Sequence, residues 1–225
     1  MADREETFQQ VLSLGPSCRA KANIQRVFGR RTARRYVFDW QTTSPAGLLD
    51  YFRNDFTGAF ERADLTVAAG VVCNRKYDTR HPHEFPKGIT EERLDALYPA
   101  ARALHEGWCA ALRKAIDNRY SALFVLSEPL PEQDRHVLAD LIADRCKQKR
   151  YLILDAPAGD YERDDGDGFS WMGDRDLWQR HLSGFSIEPP LPTRISYQLH
   201  RLRRNMTYLV PKRLRKPKQV TPLSL

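Results

Sequence analysis

Ser121-Ala122-Leu123-Phe124-Val125-Leu126 is the stretch that decides the fold class. It carries no charge and no alternation of polar with apolar side chains. A strand wetted on one face alternates, whereas a strand covered on both faces does not. The run therefore predicts a strand inside a largely parallel sheet. An amphipathic helix over Pro131–Lys147 follows, with Val137, Leu138, Leu141 and Ile142 on one side, and then a second apolar strand, Tyr151–Leu154. The same unit opens the chain. Residues 8–14 read as a strand closed by Gly15-Pro16, and Ser17 caps a helix running to about Phe28, with Ala20, Ile24, Val27 and Phe28 inward and Gly29 as its stop. Strand alternating with helix gives an α/β sandwich with a mostly parallel central sheet and flanking helices.

Between these units Tyr36–Trp40 is a short aromatic run, either strand or buried loop. Ser44-Pro45 starts a helix with Leu48, Leu49 and Phe52 at helical spacing. Leu65–Cys73 reads as one strand, followed by a polar loop holding His81, His83 and Pro86. Thr90 opens a long helix to about Asn118, with a kink expected at Pro99. An acidic loop, Asp160–Gly168, then leads through Phe169–Met172 into a short helix from Asp174 to about Leu182.

The 225 residues are 41% hydrophobic and 29% charged, enough apolar side chains for a packed core and too many for a disordered chain. No charge-free stretch approaches the roughly 20 residues of a bilayer span. The start, Met1-Ala2-Asp3-Arg4-Glu5-Glu6, has no apolar segment behind a basic one, so no ordinary secretory signal is expected. Cys18, Cys73, Cys109 and Cys146 are scattered and are expected as reduced thiols, with the cytoplasm as the expected location.

The net charge of +7 is uneven: residues 194–225 hold nine basic side chains and no acid, leaving 27 bases against 29 acids in residues 1–193. The chain thus divides into an α/β domain over 1–193 and a basic tail over 194–225. Ile195, Leu199, Leu202, Met206 and Leu209 form one stripe of an amphipathic helix that Pro211 ends. Such a helix has three uses. It can lie on an anionic membrane surface, bind a protein partner through residues 194–218, or dock on the body of its own chain. Nucleic acid fits it poorly, because Tyr197 and Tyr208 are its only aromatics.

Cys18 is the leading candidate for chemistry. It sits where a strand turns into a helix, next to free backbone N–H groups that favour a thiolate, with Arg19 and Lys21 pushing the same way. The competing reading is a small residue in a tight turn. A nucleophilic cysteine needs a base and a group to orient that base. His81 and His83 share a loop, His181 ends a short helix, and His105 and His136 lie inside long helices where a structural or solvated side chain is expected. Asp39, between Phe38 and Trp40, is either a turn carboxylate bonded to backbone amides or part of the site.

Ser13-Leu14-Gly15-x-x-Cys18, Phe38-Asp39-Trp40 and His83-Glu84-Phe85, in that order, resemble the papain-like cysteine peptidases, a bacterial family assigned by inference and largely of unknown function. The resemblance is clearest over about residues 8–60 and returns near His83 and Phe124-Val125. It implies a cysteine-dependent hydrolase acting on an acyl or peptide substrate, with Cys18 as nucleophile, His83 as base and Asp39 as the orienting acid. No cofactor and no metal are implied. The family often has His-Asp-Phe at His83-Glu84-Phe85, and tends to have arginine where Leu126-Ser127 stand here.

Two alternatives use other residues. Asp165-Gly166-Asp167 is a D-x-D, the motif with which many glycosyltransferases hold a divalent metal and a sugar nucleotide. A non-enzymatic accessory protein of surface-polysaccharide synthesis, bound through the basic tail, is the other. Cys73, His81 and His83 could ligate zinc, but they lack a fourth ligand and paired spacing. The absence of a P-loop, G-x-G-x-x-G or G-x-S-x-G argues against the NTPase, dinucleotide and common serine-hydrolase classes.

Overall fold

Ala122–Val125 is buried at all four residues, as its unbroken apolar run requires, and it is the middle strand of a parallel sheet. In the computed structural model, which describes residues 6–29, 34–160, 170–193 and 195, the chain is a mixed α/β structure. Its strands are β1 (Glu6–Phe8), β2 (Gln10–Ser13), β3 (Thr42–Thr43), β4 (Leu65–Ala68), β5 (Val71–Asn74), β6 (Thr79–His81), β7 (Ala122–Val125), β8 (Tyr151–Leu154) and β9 (Phe185–Ile187). The helices are α1 (Arg19–Val27), α2 (Pro45–Arg53), α3 (Glu91–Asp117), α4 (Glu132–Arg145) and α5 (Arg175–Leu182).

β7 pairs in parallel with β2 on one side and β8 on the other, in a register that sets Leu12 beside Phe124 and Phe124 beside Ile153. Leu12, Phe124 and Ile153 join a core cluster with Leu48 and Phe52 of α2, Leu112 of α3 and Leu138 of α4. The alternate residues Val11, Leu123 and Val125 join a second cluster with Ile24 of α1 and Trp178 of α5. Both faces of the strand are therefore dry, which is why its sequence does not alternate. β1 and β9 add a further parallel pair; the sequence reading did not foresee β9.

One expected strand is two. Leu65–Cys73 folds as the antiparallel hairpin β4–β5, because Ala69 and Gly70 both take positive φ, 51° and 74°, in a two-residue turn whose twist suits a hairpin. β3 and β6 complete a four-stranded antiparallel sheet in the order β3-β6-β5-β4, so the chain carries an antiparallel sheet beside the parallel one. α2 begins as expected, with Pro45 in its first turn and the Gly47 N–H donating to Ser44 Oγ at 3.1 Å. α3 runs through Pro99 as one helix.

Among the described residues no helix is long and apolar enough to cross a membrane. The basic amphipathic helix expected beyond residue 194, and Asp165 and Asp167, lie outside the described residues.

Candidate active site

Leu14 closes β2 by donating its N–H to Val125 O at 2.9 Å. Gly15 then takes φ +73°, the left-handed region that glycine enters without strain, and the Gly15–Pro16 bond is cis. The turn is held from two sides: the Ser127 N–H donates to Gly15 O at 2.7 Å and the Thr43 N–H to Pro16 O at 2.8 Å. Ser17 does not cap α1 as expected. Its N–H and hydroxyl both donate to Ser127 Oγ, at 2.8 and 3.0 Å. The residue at the cap position is Cys18, and no side chain caps the helix. Cys18 thus stands, half-buried, past the carboxyl end of a parallel strand and at the head of a helix.

Its thiol differs from the expected thiolate. Burial pushes the Cys18 thiol up, outweighing the pull of its own backbone N–H and of Arg19. Lys21, expected to help, faces the other way: its Nζ is 2.6 Å from Asp39 Oδ2 and donates to Arg34 O at 2.7 Å. Arg19 is itself engaged, donating to Asp160 Oδ2 at 3.1 Å and to Trp171 O at 3.1 Å.

Asp39 is fully buried in a short 3-10 turn, Val37–Asp39. Its Oδ2 accepts from Lys21 and from the Tyr36 N–H at 2.8 Å, while Oδ1 has no hydrogen-bond partner among the described residues. Burial pushes this carboxyl up, and Lys21 pulls against it. Asp39 therefore serves an ion pair and a turn; no hydrogen bond joins it to a histidine among the described residues.

His83 lies on the exposed turn after β6, its ring edge-on to Trp40 with centroids 5.6 Å apart. Partial burial, together with Arg35 and Lys87, holds its imidazole below the ordinary value, so the ring is neutral near pH 7. No hydrogen bond links Cys18 to His83 among the described residues. The structure instead links the two segments indirectly: Cys18 heads α1, Lys21 of α1 holds Asp39, and Asp39 precedes the Trp40 that packs on His83.

The other histidines have other duties. His181 Nε2 contacts Asp155 O at 2.7 Å and ties α5 to the end of β8. His105 is buried between the Tyr51 hydroxyl at 3.0 Å and Cys109 Sγ at 3.6 Å, and burial drives it well below its ordinary value. His136 is exposed on α4. Cys73 pairs with Arg80 and His81 with Val72, so the register sets Cys73 and His81 on opposite faces of the β5–β6 ladder. Among the described residues no three His, Cys, Asp or Glu side chains are grouped to hold a metal.

Two residues missed by sequence reasoning, Asp160 and Gly173, shape the site together with Glu84, which the sequence showed only as part of a motif. Asp160 is fully buried and accepts from Arg19, from Trp178 Nε1 at 2.7 Å and from the Asp174 N–H at 2.6 Å, fastening the head of α5 beside that of α1. Gly173 must be glycine, since a Cβ there would stand 2.1 Å from the Asp160 carboxylate. Glu84 is buried with one oxygen 2.8 Å from Arg35, and burial pushes its carboxyl up to about 7. A charged residue inside an aromatic motif was the available signal for Glu84; nothing local distinguished Asp160 from its acidic loop.

No family model matches the chain, and neither a curated protein nor a solved structure matches it.

Proposed function

We propose that the chain is a cysteine-dependent acyl-transfer enzyme, in its simplest form a hydrolase, with Cys18 as nucleophile and His83 as the group that moves the proton. The observation that carries this reading is the placement of Cys18. It lies at the carboxyl end of a parallel strand, where ligands of open α/β sheets bind, on a helix whose head no side chain caps. The helices on the two sides of the parallel strands are read as the layers of an α/β sandwich. We place the chain in the cytoplasm, where its four free cysteines would stay reduced.

The shifts of the two groups define the mechanism. The thiol is raised and the imidazole lowered, so both favour their neutral forms. The resting state is then a thiol and an imidazole, without the ion pair of a preformed thiolate. As Cys18 Sγ bonds to the acyl carbon, its proton passes to the His83 ring, and the same proton goes to the departing alcohol, amine or thiol. Water next attacks the thioester, His83 takes its proton, and Cys18 leaves as a thiol with release of the acid. Asp39 acts as a positioning residue, through Lys21 on one side and Trp40 on the other. The basic tail keeps its proposed role as a contact for an anionic surface or protein partner.

The test is an activated-ester burst assay with p-nitrophenyl acetate, followed by mass spectrometry of the intact protein. The reading expects one acetyl group on Cys18 and none in Cys18→Ala. Equal turnover by Cys18→Ala would overturn it.

A further inference from the structure

We infer that Glu84, clamped by Arg35, is the positioning residue that fixes the turn presenting His83. The inference rests on the role proposed above for His83, but its geometry stands independently. Arg35 Nη2 donates to Glu84 Oε1 at 2.8 Å, and the Arg35 guanidinium lies 3.7 Å from the centre of the Trp108 ring on α3. The carboxyl is thus fastened to a helix of the core. The backbone at His83 and Glu84 also favours the ionised carboxyl, against the larger effect of burial. Its second oxygen, Oε2, is 3.8 Å from His81 Nδ1, and both atoms are buried without a hydrogen-bond partner among the described residues. His81 is anchored in turn, its Nε2 lying 2.8 Å from Thr79 Oγ1.

Phe85, buried and stacked on Phe60 with ring centres 6.3 Å apart, anchors one end of the turn, and His83 at its tip has less to hold it. His83 touches Trp40 by one ring edge, and behind the turn lies a cavity of about 280 Å³ lined by His81, Pro82, Phe85 and Pro86 among others. Loss of the Glu84 clamp therefore leaves the segment room to move.

The clamp works in either protonation state. With Glu84 ionised, His81 carries its proton on Nδ1 and faces Oε2, while the Thr79 hydroxyl donates to Nε2. With Glu84 protonated, Oε2–H faces Nδ1 and Nε2–H donates to Thr79. His81 is neutral in both, being held down to about 3 by burial. The charged or titratable groups around the carboxyl are Arg35 from the segment before the 3-10 turn, His81 of β6, Asp39 beside Arg35, Tyr51 of α2, and His105 of α3, whose ring centre is 5.8 Å from that of His81.

The experiment compares the full chain with Glu84→Ala and Glu84→Gln by amide hydrogen exchange and by NMR titration of the His83 ring. Glu84→Ala is expected to speed exchange of the amides of residues 83, 84 and 85 by about tenfold or more while α3 stays protected. The His83 midpoint should rise toward about 6.5, the value of an exposed imidazole. Glu84→Gln accepts from Arg35 through its carbonyl and donates to His81 Nδ1, so it should restore both readings. If Glu84→Ala exchanges throughout the molecule, Arg35→Met, which keeps the packing on Trp108, gives the same comparison. Unchanged exchange at residues 83–85 and an unchanged His83 midpoint in these variants overturn the inference. Neither reading depends on Cys18 chemistry, so a failed burst assay with a confirmed clamp would condemn only the catalytic reading.

Discussion

Lys21 Nζ lies 2.6 Å from Asp39 Oδ2, with 3% and 0% of the two side chains exposed. A buried ion pair is weak evidence for stability, because dehydrating two charges consumes most of what their attraction returns. Breaking it from one side is different, since the remaining charge is left buried and unpaired. Lys21→Met or Asp39→Leu alone should each cost roughly 3–5 kcal/mol, and the double variant should cost much less than their sum. Urea denaturation of the three variants measures this. Additive costs would mean that the two charges do not depend on each other.

The pH dependence of stability should reveal two opposed groups in one small volume. Glu84 is raised to about 7 in the folded state from an ordinary 4.5, so the folded chain binds the extra proton. Its contribution is fully present below pH 4.5 and is lost as pH rises toward 7. His81 is lowered to about 3 from 6.5, so the unfolded chain binds the extra proton, and stability falls as pH drops from 6.5 toward 3. Between pH 4.5 and 6.5 the two slopes cancel, each about 1.4 kcal/mol per pH unit where fully developed. Denaturation midpoints across that range should rise with pH in Glu84→Gln and fall with pH in His81→Gln. Two variants with the same slope as the parent would refute the assignment.

How Cys18 titrates follows from where it sits. Burial raises the thiol and Arg19 lowers it only in part, so iodoacetamide labelling should reach half its limiting rate at a pH above that of a free small-molecule thiol. Cys109, buried and pushed up to about 12, should label more slowly still. Peptide-resolved labelling from pH 7 to 10 reads both sites. A Cys18 midpoint below about 8 would indicate a preformed thiolate and remove the neutral-pair mechanism.

Of the parallel strands, Ala122–Val125 was legible because burial on both faces leaves an unbroken apolar run. Tyr151–Leu154 shows the same run although only Ile153 is buried, whereas β9 was not foreseen. The β4–β5 hairpin was not, because its turn is Ala69-Gly70, where a single small residue hides the left-handed pair in an otherwise continuous apolar run. At the site, Cys18, Asp39 and His83 were visible as residue types in an order. Their relations were not. Whether Lys21 faces the thiol or the core depends on a contact 18 positions away, with Asp39, and the sign of the Cys18 shift depends on burial, which the spacing of residues along α1 does not report.

The turn that carries Cys18 depends on one hydroxyl more than on the other. Ser127 Oγ accepts both the Ser17 N–H and the Ser17 hydroxyl, while the Ser127 N–H holds Gly15 O. Removing the Ser127 hydroxyl strands the partly buried Ser17 amide, at a cost of about 1–3 kcal/mol. Removing the Ser17 hydroxyl takes away a donor and leaves that amide bond intact, so Ser17→Ala should cost less than about 1 kcal/mol. Ser127→Ala should also speed amide exchange at Gly15, Ser17 and Cys18, since the two remaining ties run only to the Gly15 and Pro16 carbonyls. Measured by urea denaturation and exchange, equal costs for the two alanine variants would show that Ser127 is not the anchor of the turn.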